Sequence, residues 1–258
     1  MRNPIRFALF LTFLGLFFSC GETQTQGKKK ERVYLPIGVE KWLDTDMGDA
    51  IRTYYIEPKN IKKNKVLLLF HEWWGLNTDF KKVCDRFSEK LKDTRIIGVD
   101  LYDGKVATTS KEAKTLMDGI TRQRANQIIT GVFGFCGSDA KIATIGWAMG
   151  GSWALESAIM FNRQSAGCVM YYAMPPEHAV DLAPLTCDIL AIFGNKDQFV
   201  TPAIRQQFEQ NCKLVRKNLI IKTYDAKHDF ANPISPNYNA NAAQNAEREV
   251  IDFLRKRL

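Results

Sequence analysis

Short apolar runs alternate along the chain with longer segments that repeat apolar positions every three or four residues. The run at 65–70 is apolar after its first residue, as is typical of a strand buried on both faces of a parallel sheet. The segment at 78–92 that follows has the spacing of an amphipathic helix. Repetition of this alternation predicts an α/β fold, a doubly wound and mostly parallel sheet of the α/β-hydrolase type.

The individual elements follow from the same pattern. The predicted strands, of which the first two are expected to be antiparallel, lie at 33–39, 50–56, 65–70, 95–100, 141–145, 167–172, 189–193 and 219–224. The predicted helices lie at 78–92, at 110–136 with a break near Gly119, from the elbow to Phe161, at 202–214 and at about 241–256. Residues 33–258 are therefore expected to form one domain.

The stretch from Ala143 to Leu155 joins a predicted strand to a predicted helix through Gly146, Ala148 and Gly150. Small residues at alternate positions are typical of a nucleophile elbow, a turn so sharp that bulky flanking side chains do not fit. Such a turn presents its central residue at the end of the strand, over the free N–H groups of a helix that can stabilise an oxyanion. The central residue is Ala148, which has no nucleophilic atom.

An elbow of this kind needs an acid and a base, which follow it in the order acid, then histidine. Asp197 comes just after the predicted strand at 189–193, and His228 lies between the last strand and the last helix. The alternatives are a loop-capping aspartate and a surface histidine. Glu72 follows the central strand at 65–70, at the sheet edge where ligands bind in such folds. Its alternative is a surface glutamate.

These residues together resemble the dienelactone hydrolase family of α/β-hydrolases, over about residues 50–257. The motifs that carry the resemblance are Glu72-Trp73-Trp74-Gly75, Asp100-Leu101-Tyr102, Gly146-Trp147-Ala148-Met149-Gly150-Gly151, Gly194-Asn195-Lys196-Asp197 and His228-Asp229-Phe230. The resemblance implies a hydrolase that opens esters or lactones with a cysteine nucleophile, a histidine and an aspartate.

The resemblance also implies a role for each matching residue. Asp197 would orient His228, the base. Glu72 would be the carboxylate that interacts with a resting thiol. The backbone N–H groups of Trp73 and Met149 would form the oxyanion hole.

Besides Ala148, two positions differ from the family's pattern, and both concern the substrate. Family members that open dienelactone place arginines where Gly104 and Asn232 stand, and these arginines would hold a substrate carboxylate. Their absence predicts an uncharged ester or lactone as the small-molecule partner, and the tryptophans of the motifs predict an aromatic pocket. The predicted substrate-binding residues are Trp74, Tyr102, Trp147 and Asn232.

Ala148 leaves three interpretations open. The chain is a non-catalytic relative that binds a ligand, or a nucleophile was replaced to trap a complex, or His228 activates a water in place of a side chain. Ser152 lies one helical turn further on and is not expected to substitute. Loss of the nucleophile costs about a million-fold in kcat, so the expectation is a hydrolase site that is inactive or nearly so, with an envelope ligand-binding protein as the alternative.

The first 32 residues predict export. Arg2 and Arg6 precede an apolar segment at 7–18, and Ser19-Cys20 resembles a bacterial lipoprotein cleavage site. We expect 1–20 to be a signal peptide, Cys20 to be lipidated at a cell-envelope membrane, and 21–32 to be a flexible tether. A plain signal peptide or a single anchor helix is the alternative.

Charge and cysteine usage exclude other classes. Residues 1–32 carry half of the net charge of +8, so the domain is too weakly basic for a nucleic-acid partner. The cysteine spacings fit no zinc pattern, and we predict no metal and no cofactor. Buried thiols are expected, although export would permit a disulfide among Cys84, Cys136, Cys168, Cys187 and Cys212.

Overall fold

The structure is a computed structural model that describes residues 33–45, 48–59 and 63–258. The predicted signal peptide, the lipidation at Cys20 and the tether at 21–32 lie outside the described residues. None of the helices in the described ranges combines the length and the apolar character that a membrane crossing requires.

The described residues contain one sheet of eight strands. The strands are β1 (Val39–Thr45), β2 (Gly48–Ile56), β3 (Lys65–Phe70), β4 (Arg95–Val99), β5 (Lys141–Trp147), β6 (Ser165–Tyr171), β7 (Ile189–Gly194) and β8 (Leu219–Tyr224). Their spatial order is β1-β2-β4-β3-β5-β6-β7-β8. The β1–β2 and β2–β4 pairs are antiparallel and the other pairs are parallel. The predicted α/β class is confirmed.

From β3 onward, each strand is followed by at least one helix. The helices are α1 (Thr78–Lys90), α2 (Ser110–Asp118), α3 (Arg122–Cys136), α4 (Met149–Phe161), α5 (Ala179–Leu182), α6 (Pro202–Leu214) and α7 (Ala240–Arg257), with a short 3-10 helix at Asn162–Gln164. The predicted break near Gly119 separates α2 from α3.

Each face of the sheet carries its own hydrophobic core. In β3, Val66 and Leu68 contribute to the core shared with α3, α4 and α6, whereas Leu67 and Leu69 contribute to the core shared with α1 and α7. All four side chains are fully buried. Because successive strand residues point to opposite faces, a strand covered by helices on both faces must be apolar throughout.

The strand order reverses at β3, whose neighbours are β4 on one side and β5 on the other. Ligands bind in open α/β sheets outside the carboxyl ends of the strands at such a switch point. Phe70 is paired with Gly146 in the β3–β5 register. The residues that follow these two strands, including Glu72 and Ala148, therefore emerge at the same point of the sheet edge.

The first strand differs from its prediction. A strand was expected at 33–39, but residues 33–38 lie outside the sheet and β1 covers Val39–Thr45. The apolar residues that alternate at 33, 35, 37 and 39 are all exposed. Alternating apolar residues do not show whether one face of a segment is covered by other residues. At this edge of the sheet, pairing with β2 defines where the strand begins and ends.

The five cysteines of the described residues are all buried free thiols. Burial raises the pKa of Cys212 to about 11 and that of Cys136 to about 12. Thiols with raised pKa values are poor nucleophiles, so these side chains serve packing.

Candidate active site

The elbow has the backbone that its sequence predicts. Ala148 joins β5 to α4 with φ 49° and ψ −122°, a left-handed conformation that a residue with a Cβ rarely adopts. Its side chain is partly accessible. Ala148 therefore occupies a strained turn, although its methyl group performs no chemistry there.

The tight approach of neighbouring backbone explains the glycines. A Cβ on Gly146 would lie 2.0 Å from the Gly150 carbonyl oxygen, and one on Gly150 would lie 2.3 Å from the His71 carbonyl oxygen. Neither distance is compatible with a side chain. The two glycines let β5, α4 and the end of β3 meet, which in turn fixes the conformation of Ala148.

The two residues that carry the predicted oxyanion donors share a contact with Tyr102. The Tyr102 hydroxyl donates to the Trp73 carbonyl oxygen at 3.2 Å and lies 3.4 Å from the Met149 Sδ. Met149 is the first residue of α4, whose first N–H groups have no intrahelical acceptor. Within the described part of the chain, neither the Trp73 nor the Met149 N–H has a hydrogen-bond acceptor. Their assignment as an oxyanion hole stays a prediction that this geometry permits.

His228 and Asp197 form a hydrogen-bonded pair beyond the ends of β8 and β7. The His228 Nδ1 lies 2.8 Å from the Asp197 Oδ2, and since a carboxylate only accepts, Nδ1 carries the proton. The other carboxylate oxygen accepts from the N–H groups of Phe199 and Val200, at 2.8 and 3.1 Å. Burial alone would raise the pKa of Asp197, but these hydrogen bonds outweigh burial and lower it. Asp197 is therefore held ionised beside the imidazole.

A second carboxylate faces the other ring nitrogen. The Asp229 Oδ1 lies 3.3 Å from the His228 Nε2, and Asp229 itself has a positive φ of 61°. Burial would lower the pKa of His228, but the Asp197 hydrogen bond and the charges of Asp229 and Glu72 outweigh it and raise the pKa. The imidazole is thus stabilised in its cationic form between two carboxylates.

Glu72 is held by two neutral donors. Its Oε1 accepts from the Tyr172 hydroxyl at 2.9 Å and its Oε2 accepts from the Asn232 side-chain amide at 2.7 Å. Part of the residue opens into a cavity, yet its carboxyl is enclosed by protein. Burial, followed by the charge of Asp229, raises the pKa of Glu72 to about 7, against the lowering effect of the two hydrogen bonds. Asn232, a neutral donor to Glu72, stands where the resemblance places an arginine.

His71 fixes the segment that carries Glu72 and Trp73. The imidazole is fully buried, with its Nδ1 2.6 Å from the Glu72 carbonyl oxygen and its Nε2 accepting from the Leu101 N–H at 3.1 Å. Burial lowers the pKa of His71 and keeps it neutral, as this pair of bonds requires. His71 therefore anchors backbone and is not directed at a ligand.

The predicted substrate-binding residues separate into two groups. Trp74, Trp147 and Asn232 line a cavity of about 240 Å³ that also reaches Glu72. Tyr102 instead lines a separate cavity of about 340 Å³. The Ser152 hydroxyl donates to the Met174 carbonyl oxygen at 2.8 Å, which agrees with the expectation that it does not replace the nucleophile.

Two residues of the site were missed by sequence reasoning. Tyr172 follows β6 with a strained φ of 36° and binds Glu72, and Asp229 contacts His228. Both lie just after a strand at the carboxyl edge of the sheet. Examining every polar residue at such a position would have identified Tyr172, and Asp229 already stood inside the His-Asp-Phe motif.

A mostly parallel sheet with an elbow, an acid and a histidine after β5, β7 and β8 defines an α/β-hydrolase. The chain matches the dienelactone hydrolase family over residues 51–258. It therefore belongs to this family.

Known proteins similar to the chain agree with this assignment. A carboxymethylenebutenolidase of a Pseudomonas species is 31% identical over 142 residues, which cover 55% of this chain and 58% of that relative. A dienelactone hydrolase-like promiscuous phosphotriesterase from metagenomic libraries superposes with a TM-score of 0.73 at 17% identity, covering 86% of this chain and 99% of the other. A dienelactone hydrolase of Anabaena variabilis gives 0.61 at 15% identity, covering 87% and 100%. The two structures share the fold, and the family together with the Pseudomonas relative indicates a hydrolase.

Proposed function

We propose that the chain carries a dienelactone hydrolase-type site for carboxylic esters or lactones that lacks only its nucleophile. The observation that carries this proposal is the strained elbow at Ala148, which coexists with the assembled pair of His228 and Asp197. Covalent catalysis at residue 148 is excluded for an alanine. The chain as written is then inactive or nearly so.

The remaining groups would each act on a bound ester. The N–H groups of Trp73 and Met149 would polarise the carbonyl oxygen. A water molecule would add to the carbonyl carbon in place of the absent nucleophile, and His228 would transfer a proton from this water to the alcohol that leaves as the ester C–O bond breaks. Without a nucleophile, positioning and an oxyanion hole leave about 10³–10⁴-fold acceleration over water, which is little turnover for a stable ester.

The test is to supply the missing atom. We expect Ala148→Cys to raise kcat/KM for p-nitrophenyl acetate on the order of 10³-fold or more, since removal of a nucleophile costs about 10⁶-fold. Adding His228→Ala to this variant should remove most of the gain. A folded cysteine variant that is no faster than the parent would contradict the proposal, and a gain that does not depend on His228 would contradict its role.

The charges of the site favour an uncharged ligand. Glu72, Asp197 and Asp229 surround His228, while Gly104 and Asn232 stand where arginines would bind a carboxylate. The chain should therefore bind a neutral lactone more tightly than the carboxylate-bearing counterpart of that lactone. Preference for the anion that persists in high salt would exclude this substrate class.

A non-catalytic binding protein of the cell envelope is the second candidate. It is favoured by the Asp229 contact with the His228 Nε2, the nitrogen that a nucleophile would need. The cysteine variant separates the two candidates, because a site that serves only binding gains no turnover from a thiol.

Export and lipidation at Cys20 are a separate proposal, supported by the sequence of residues 1–20 alone. Mass spectrometry of the mature N-terminus should find a lipid-modified Cys20. An unmodified terminus at another residue would contradict it.

A further inference from the structure

The cavity beside Glu72 has an apolar wall that the hydrolase chemistry does not require. It has a volume of about 240 Å³ and lies between α1 and the segment that follows His228. Its apolar lining consists of Trp74, Phe80, Val83, Trp147, Pro233 and Ile234. We infer that this cavity is the specificity pocket of the site and binds an uncharged aryl group of the ester or lactone, an inference that rests on the proposed function.

The cavity is continuous with the site. Glu72 and Asn232 form its polar inner end, and Trp147 immediately precedes Ala148. Phe70 and Gly146 are paired in the sheet, so the residues that follow each of them are neighbours. An ester carbonyl placed over Ala148 can therefore direct one substituent past Glu72 into the cavity.

The volume suits a single ring. A closed apolar cavity of about 150 Å³ is large enough to bind benzene. A cavity of about 240 Å³ therefore accommodates one six-membered aromatic ring with a short fused or linear extension. A long acyl chain would have to leave through the mouth.

The aromatic wall is fixed in place before any ligand binds. The Trp147 ring stacks on Tyr171 with centroids 5.4 Å apart, and it meets Phe80 edge to face at 6.1 Å. Trp147 is almost completely buried. A rigid wall of ring edges and faces favours an aryl guest, because aromatic pairs gain energy beyond the area that they bury.

The charges at the cavity are already paired, which argues against an anionic guest. At the mouth, Lys82 binds Asp79 at 2.8 Å and Arg86 binds Glu247 at 2.7 Å. At the inner end, Glu72 would face any ligand carboxylate. An anion would lose its hydration, and the two cations at the mouth already have carboxylate partners.

The experiment uses two lactones in the Ala148→Cys variant: dihydrocoumarin, which carries an arene, and δ-valerolactone, which does not. Adding Val83→Trp fills the cavity from α1. We expect kcat/KM for dihydrocoumarin to fall about ten-fold or more, mainly through KM, and kcat/KM for δ-valerolactone to stay within about two-fold. Because each lactone is compared with itself, the different reactivities of the two leaving groups cancel.

Two further variants serve as a control and as a second test of the cavity. Leu116→Trp places the same side chain in the separate cavity next to Tyr102 and should change neither lactone. Ile234→Asp puts a carboxylate on the cavity wall from an exposed position, where misfolding is no concern, and should repeat the selective loss.

The possible failures are distinguishable. If Val83→Trp and Ile234→Asp affect both lactones equally or neither, the pocket assignment is wrong and the proposed function stands. If Ala148→Cys hydrolyses no ester, the proposed function fails, and tryptophan fluorescence of the unsubstituted chain titrated with dihydrocoumarin tests the pocket directly. Absence of binding, or binding unaffected by both cavity variants, then overturns the inference.

Discussion

The elbow at Ala148 and the loop that carries His228 lie at the same edge of the sheet but carry different features of the α/β-hydrolase pattern. The elbow has its strained backbone and its helix N-terminus without a reactive side chain. The loop after β8 carries the histidine of the predicted site. The His228 imidazole contacts two carboxylates, Asp197 and Asp229. The elbow is a backbone conformation, so it depends on the packing around it. The histidine site depends on which side chain stands at each single position.

This difference explains how the elbow persists with an alanine. A non-glycine residue in a disfavoured conformation costs about 1–3 kcal/mol, and the surrounding structure must impose it. The approach of Gly146 to Gly150 does so here, independently of the side chain at residue 148. The elbow backbone and the reactive side chains should therefore respond separately to substitution.

Gly146→Ala should break the elbow. Its Cβ would lie 2.0 Å from the Gly150 carbonyl oxygen, so we expect the free energy of unfolding to fall by more than about 4 kcal/mol, or the protein not to fold. Gly134→Ala is the matched control, because Gly134 lies in the last turn of α3 and a Cβ there meets nothing within 4 Å. The control should gain about 0.5–1 kcal/mol. Urea denaturation measures both, and equal stabilities would refute the packing explanation.

Cysteine should restore activity better than serine. The raised pKa of His228 favours the imidazolium, which stabilises a thiolate but cannot take the proton of a serine hydroxyl. At pH 7, kcat/KM for p-nitrophenyl acetate should be about 10²-fold higher for Ala148→Cys than for Ala148→Ser. The gap should narrow as the pH rises and His228 loses its proton. Serine activity that is equal at pH 7 would show that His228 is neutral there.

Glu72→Gln should stabilise the protein at alkaline pH. The pKa of Glu72 is raised from 4.5 to about 7, so between these values the native chain holds a proton that the unfolded chain releases. Stability from this group is complete below pH 4.5 and is lost as the pH rises to 7. At pH 8 the variant should be more stable by about 1–2 kcal/mol, a value discounted because Glu72 partly faces the cavity. Urea unfolding at pH 4 and pH 8 checks the sign, since the difference should vanish at the acidic value.

Asp229→Asn should lower the pKa of His228 by removing one of the carboxylates that raise it. The chain has only three histidines, so the imidazole signals can be followed by NMR titration. Asp225→Asn is the control in the same loop, since its exposed carboxylate pairs with Lys196. If the titration midpoint of His228 is unchanged in Asp229→Asn, the charge of Asp229 does not affect the pKa of His228.

Local sequence patterns are enough to predict the order of the helices and strands and the positions of the site residues along the chain. Hydrophobic periodicity is a local property, and the buried central strands are apolar because both of their faces are covered. Glu72 and Asp197 each follow such a strand, and His228 follows the partly buried edge strand β8, so their common edge could be predicted. The strand expected at 33–39 shows the limit, because an exposed segment can alternate without pairing.

The contacts between side chains of the site are set by the three-dimensional packing of the chain. Glu72 binds Tyr172 and Asn232, which lie 100 and 160 positions away in the chain. Pairings at such separations depend on how strands from distant segments stack into one edge, and no local pattern records them. The contact of Asp229 with the outer nitrogen of His228 depends on a backbone turn with positive φ. The cavity beside Glu72 likewise exists because α1 and the segment after His228 face each other across the end of the sheet, which the residues of neither segment specify alone.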